Sequence, residues 1–219
     1  MELIDRIKIV FEDASVIVVD KPAGLLTMAT GTERSKTVYA ALRAHANQKK
    51  PPEKIFIVHR LDREASGLLV FAKTVEAKER LQDQFKAHTA GRRYVAIVEG
   101  GVKSDDFTIR SYLAENAAYR VYSASNTKAG KLAVTHVHVM KRNRKSTLLE
   151  VRLETGRKHQ IRVHLAEHGH PILGDKTYGS RSNPIHRMAL HGARLDFRHP
   201  GTGKLMQFES HYPKSFEGI

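Results

Sequence analysis

Between Thr147 and Leu153 apolar and charged residues alternate, with Leu149, Val151 and Leu153 set against Glu150 and Arg152. A period of two admits little other than a half-buried strand. The signature recurs along the chain. Ile7–Phe11 and Val16–Val19 are β-branched runs separated by Glu12-Asp13-Ala14-Ser15, which predicts a hairpin. Ser66–Lys73 holds the run Leu68-Leu69-Val70-Phe71-Ala72, a buried strand by its length, and Arg92 to Gly100 reads as another. Leu132–Met140 places Leu132, Val134, His136, His138 and Met140 on one side of a further strand. Helical spacing is scarcer, covering 37–46, 75–87 and 157–168, the last with Ile161, Leu165 and His168 on one face and Gly169 as a stop. Strands outnumber helices and come in runs, so the expected class is α+β with a mixed, mostly antiparallel sheet. Asn47 to Lys54, reading NQKKPPEK, is the clearest loop, too early and too short to divide self-sufficient domains. Residues 1–219 are expected to form a single domain.

Charge narrows the partner. Among 219 residues there are 37 Lys+Arg against 23 Asp+Glu, a net charge of +14 with histidine neutral. Such a surplus favours a polyanion, because cation contacts to phosphates release condensed counterions. Cysteine is absent, which excludes disulfides, thiolate nucleophiles and cysteine zinc sites. The first ten residues carry Glu2, Asp5, Arg6 and Lys8, so no signal-peptide core is legible. No apolar run approaches the ~18 residues of a membrane span. A soluble, cytoplasmic protein without a membrane role is expected.

Two constellations could carry chemistry. The first, His59-Arg60-Leu61-Asp62-Arg63-Glu64-Ala65-Ser66-Gly67, has Leu61 as its only apolar residue between His59 and Glu64 and precedes a strand. It should be a displayed loop, with Asp62 held ionised by Arg60 and Arg63 and able to act as nucleophile or base. The competing interpretation is a surface salt bridge. The second runs from Leu153 through Thr155-Gly156-Arg157-Lys158-His159-Gln160-Ile161-Arg162 to Gly174-Asp175. Its cations Arg157, Lys158 and His159 fall in the expected first helical turn, where the dipole disfavours them unless an anion binds. A basic exposed turn is the plainer alternative.

Taken together, these residues resemble the RluA-type family of RNA pseudouridine synthases. Four stretches match in order: Val18-Val19-Asp20-Lys21-Pro22-Ala23-Gly24-Leu25, then His59–Lys73, then Arg93-Tyr94-Val95-Ala96-Ile97-Val98-Glu99-Gly100, then Thr155–Gly179. Four ordered motifs are far more specific than one. The resemblance implies a pseudouridine synthase-like sheet with a central active-site cleft and uridine isomerisation within ribosomal or transfer RNA. It implies Asp62 as the catalytic carboxylate, leaving open whether it attacks the sugar, attacks the base or removes a ribose proton. Tyr94 would stack on the base and assist proton removal from C5, and Arg162 would pair with Asp62. Arg60 would fill the gap left by the flipped uridine, and Leu190 would wall the base pocket. Ala65 departs from the family's usual Thr, with little effect expected. The first motif begins almost at once, which points to a compact member without an S4-like domain. The reaction implied needs no metal or organic cofactor, no obligate protein partner is implied, and a monomer is the default.

Three rivals compete. His164 with His168, and His136 with His138, invite a metal-dependent nuclease, but H-E-x-x-H and a carboxylate cluster are missing from the motif regions. A catalytically inactive RNA-binding protein of the same fold is the stronger rival, which the full set Asp62, Tyr94 and Arg162 argues against. Gly201-Thr202-Gly203-Lys204 lacks phosphate-loop spacing and reads as a turn.

Overall fold

A computed structural model describes residues 3–31, 33–125 and 128–217. Met1 and Glu2, part of the stretch read for a leader, lie outside the described residues. The class is α+β, with eleven strands and three α-helices among the described residues. The chain divides into two compact units, Met1–Gly91 with Gly192–His211, and Arg92–His191 with Tyr212–Ile219.

In the first unit, β1 (Lys8–Glu12) and β2 (Val16–Lys21) form the expected hairpin. The turn closes because Asp13 Oδ1 accepts from Ser15 N and Val16 N at 2.7 and 2.8 Å. α1 (Val38–Asn47) starts at Thr37, whose hydroxyl accepts from Ala40 N at 3.0 Å. After β3 (Phe56–Ile57), the strand β4 (Ser66–Ala72) is buried at every position. A strand covered on both faces needs the continuous apolar run seen there, rather than alternation. α2 (Val75–Lys86) packs on β4 and places Ala77 and Leu81 in the core, while Val75 stays outside. β4 pairs antiparallel with β2 and β3, and β11 (Leu205–Glu209) pairs with β10 (Leu190–Arg198). Leu195 and Phe197 of β10 close one core with Val16, Val18, Leu68, Val70 and Leu81. At about 25 cal/mol per Å², each of these side chains contributes roughly 1.5–3 kcal/mol.

Strand order in the second unit is β5 (Gly91–Glu99), β9 (Ser146–Leu153), β8 (Lys131–Arg142), β6 (Asp106–Glu115) and β7 (Val121–Ala124), all antiparallel. The alternation of Thr147–Leu153 is realised in β9. In β8 the buried side is Ala133, Thr135, Val137 and Val139, opposite the face carrying His136, His138 and Met140.

α3 runs from Gln160 to Glu167, shorter than the 157–168 expected. The expected placement of Arg157, Lys158 and His159 in its first turn is corrected: all three precede the helix. His159 takes φ 53, a left-handed conformation that a helix cannot continue through. The Gln160 side chain closes the turn, with Oε1 accepting from Arg157 N at 3.0 Å and Thr155 Oγ1 at 2.7 Å. Gln160, Ile161, Arg162, Val163, His164 and Leu165 are all buried, so the helix is enclosed on most sides. Its polar residues therefore need dedicated partners. Gln160 Nε2 donates to Val134 O and Thr135 Oγ1 at 3.0 and 2.9 Å. His164 places Nδ1 2.8 Å from Thr135 Oγ1 and Nε2 3.0 Å from Ser111 Oγ. Burial pulls the His164 pKa down to about 4, partly opposed by Glu167.

No helix among the described residues is long and apolar enough to cross a membrane.

Candidate active site

Asp62 lies in the loop between β3 and β4, as the sequence pattern predicts, and is half-buried. Its two neighbours are fixed through their backbones. Thr27, 2% exposed, accepts from Leu61 N at 3.2 Å and donates to Leu61 O at 2.9 Å. On the other side, Arg63 O accepts from Gly24 N at 2.8 Å and from the Lys21 ammonium at 3.2 Å. Lys21 is 0% exposed and also donates to Leu25 O at 2.7 Å and Pro22 O at 3.0 Å. Removing an ammonium from water is costly, and carbonyl acceptors offset that cost. The loop 22–25 is wrapped around one buried cation, and the carboxylate loop is tied to the same cation. Gly24 takes φ +84, which a side chain would strain.

The base of the loop is set by packing. Gly67 has φ +117, and a Cβ there would lie 2.3–2.6 Å from the backbone of Gly192. Only hydrogen fits, so β4 and β10 approach closely five residues after Asp62. His59 stacks on Phe85 with ring centroids 4.5 Å apart and accepts from Val70 N through Nε2 at 3.2 Å. Arg60, Arg63 and Glu64 are exposed around this frame.

Within the second unit, Tyr94 sits in β5 at 7% exposure, directly across from Val151, which is in turn across from Val137. Arg162 of α3 is 4% exposed and forms a two-pronged ion pair with Asp175, Nε to Oδ2 at 2.7 Å and Nη2 to Oδ1 at 2.9 Å. Its guanidinium carbon lies 5.0 Å from the Tyr178 ring centroid, and the Tyr178 hydroxyl is 2.8 Å from His159 Nδ1. A planar guanidinium gripped by a carboxylate and flanked by an aromatic ring has its direction set before any ligand arrives. Gln160 and His164 of α3 reach Thr135, which shares a sheet face with Val137, Val151 and Tyr94.

The remaining candidates scatter. Leu190 opens β10 at 4% exposure, its carbonyl accepting from Arg187 Nη2 at 3.2 Å. Arg157 is exposed and donates through Nε to Leu132 O at 2.9 Å. The Lys158 ammonium is ion-paired with Glu115 and lies 5.5 Å from the Tyr119 ring centroid. The histidine pair at 164 and 168 splits: His164 is buried, and His168 is exposed and stacked on Phe107 at 4.7 Å. Among the described residues no group of three or more metal-ligating side chains converges. Gly201–Lys204 forms the turn between β10 and β11, with His199 Nδ1 accepting from Gly201 N and Thr202 N.

Lys21, Thr27 and Asp175 carry positioning roles that motif reading did not assign. For Lys21 a signal existed. Lys21 shares a strand face with the buried Ile17 and Val19, the one hint in the sequence that its side chain is covered.

The family model described as RNA pseudouridylate synthase matches residues 15–167. A Pseudomonas aeruginosa protein named ribosomal large subunit pseudouridine synthase D is 39% identical over 96% of this chain and 70% of its own length. A Nitrosomonas europaea protein of the same name is 40% identical over 97% of this chain and 64% of its own length. Among solved structures, Human RNA Pseudouridylate Synthase Domain Containing 4 has a TM-score of 0.78 at 22% identity, covering 96% of this chain and 90% of that one.

Proposed function

The chain belongs to the RNA pseudouridylate synthase family, and we propose that it isomerises one or a few uridines of ribosomal RNA to pseudouridine with Asp62 as the catalytic carboxylate. The observation that carries the assignment is the anchoring of the Asp62 loop. Both flanking peptide units are held by buried side chains, while the carboxylate itself is left half-buried. Such rigidity is what a reacting group needs, since a misplacement of about 1 Å costs on the order of 10²-fold in rate.

The reaction breaks the N1–C1′ bond, turns the uracil, forms the C5–C1′ bond and transfers the C5 proton to N1 through solvent or a side chain. No redox change occurs. Tyr94 stacks on the base and assists proton removal from C5, and Arg162 supplies the cation that balances the catalytic carboxylate. Leu190 walls the base, and Arg60 fills the gap that the flipped nucleotide leaves. Extruding the base costs a few kcal/mol, least in loops and bulges, and cation contacts to the backbone offset it. The names of the curated relatives favour large-subunit ribosomal RNA over transfer RNA as the substrate. The protein acts as a monomer.

The test is pseudouridine mapping across ribosomal and transfer RNA in cells with and without the protein, rescued by wild type or Asp62→Ala. Sites in large-subunit RNA should vanish and return only with wild type. Full rescue by Asp62→Ala would leave a protein that binds RNA without modifying it.

A further inference from the structure

We propose that a basic pocket of the second unit, between the turn preceding β8 and the turn preceding α3, clamps the RNA phosphate backbone several nucleotides from the target uridine. This rests on the RNA-modifying function proposed above and assigns that function a second contact. The pocket measures about 670 Å³, within the range of ligand sites. Lys128, Lys131 and Arg157 line it over an apolar floor of Leu113 and Val121. Its one acid, Glu115, is already neutralised by Lys158. The pocket is therefore left with a surplus of cations.

The Lys131 ammonium and the terminal nitrogens of Arg157 have no partner among the described residues. Arg162 and Lys158, close by in sequence, are both paired with carboxylates. Lys131 and Arg157 thus face one pocket without a carboxylate partner among the described residues, and a bound polyanion would supply the missing charge. Gly130 keeps the wall narrow, since a Cβ there would lie 2.8 Å from the Tyr112 carbonyl carbon and oxygen.

Strand register fixes where along the RNA this clamp acts. Tyr94 pairs with Val151 and Val151 with Val137, so the three share a sheet face. Lys131 lies on that face too, six residues along β8 from Val137. At 3.3 Å per residue and 4.8 Å per strand, Lys131 is roughly 20 Å along and 10 Å across from Tyr94. That separation exceeds the reach of a single nucleotide. The clamp holds flanking backbone, adding affinity without touching the reacting base.

The experiment compares wild type, Lys128→Gln/Lys131→Gln and Lys145→Gln, the last an exposed lysine on the β8–β9 turn. Affinity for a short labelled RNA hairpin is measured by fluorescence anisotropy across salt concentrations, and turnover is measured on transcribed large-subunit ribosomal RNA. Each lost phosphate contact flattens the slope of log K against log salt by about 0.7–0.9 and weakens binding on the order of fivefold to eightfold at about 0.1 M salt. The double variant should lose roughly 30-fold to 60-fold in affinity with kcat at saturating RNA unchanged. Lys145→Gln should match wild type. An unchanged affinity and slope in the double variant overturns the clamp, as does saturable binding of uridine monophosphate that the double variant abolishes. If wild type makes no pseudouridine, the proposed function fails; a changed salt slope in the same experiment still supports the clamp.

Discussion

Lys21 and Arg162 are both buried cations, one in each unit, and they are satisfied in opposite ways. The Lys21 ammonium is surrounded by the carbonyls of Pro22, Leu25 and Arg63, so it organises backbone. Arg162 is gripped by both oxygens of Asp175, so its own direction is what is organised. A rotatable ammonium suits scattered carbonyls, and a planar fork suits one carboxylate. The first unit thus presents a loop of fixed shape, and the second presents a side chain of fixed aim.

The largest loss is expected at Gly67. Gly67→Ala drives a Cβ into the Gly192 backbone at positive φ, and a loss above about 4 kcal/mol is expected, seen as insoluble protein or a collapsed melting transition. Lys21→Met keeps the stem and deletes the donor, stranding carbonyls that cost about 1–3 kcal/mol apiece when buried; urea unfolding should show a loss of about 4 kcal/mol. Asp175→Asn sharpens the contrast. It should cost about 3 kcal/mol, and turnover of the folded protein should drop on the order of 10²-fold as Arg162 loses its aim. An Asp175→Asn enzyme of normal kcat would show that the ion pair is only structural.

A smaller effect separates the units by pH. His164 titrates near 6.5 when unfolded and at about 4 when folded, so below pH 6.5 the unfolded chain binds the extra proton. Its contribution is intact above pH 6.5 and is lost as pH falls towards 4, by up to about 3 kcal/mol. His164→Gln should flatten that part of the stability profile, measured by thermal unfolding from pH 7 to pH 4. Smallest is Thr27→Val, which deletes the clasp on Leu61 and should cost about 1–2 kcal/mol.

Much of this was legible because periodicity reports burial directly. The β1–β2 hairpin, α1, α2, β4, β5, β8 and β9 follow from it. β6 escaped because Ser111 interrupts its apolar face and Arg110 and Tyr112 blur the other. β10 is not legible because Arg194 and Asp196 interrupt its apolar run, and the pairing that accommodates them, at 2.9 Å, shows only in the fold. The start of α3 is not legible because the left-handed His159 has no sequence signature. Asp62 was found as a carboxylate in a displayed loop. Asp175 was not assigned, since its bond to Arg162 depends on how a loop folds back over a helix thirteen residues away.

The first unit takes its last two strands, β10 and β11, from beyond residue 190, after the whole run of β5 to α3. On a translating ribosome, Val18 and Val70 emerge long before Leu195 and Phe197, the residues that seal their core. At about 5–20 residues per second the intervening hundred or so residues take roughly 5–20 s to synthesise. During that interval the loop carrying Asp62 is without the Gly192 backbone against which its base packs. The nascent chain completes α3 and its neighbouring strands first, and the Asp62 loop gains its final support only as the closing strands are made.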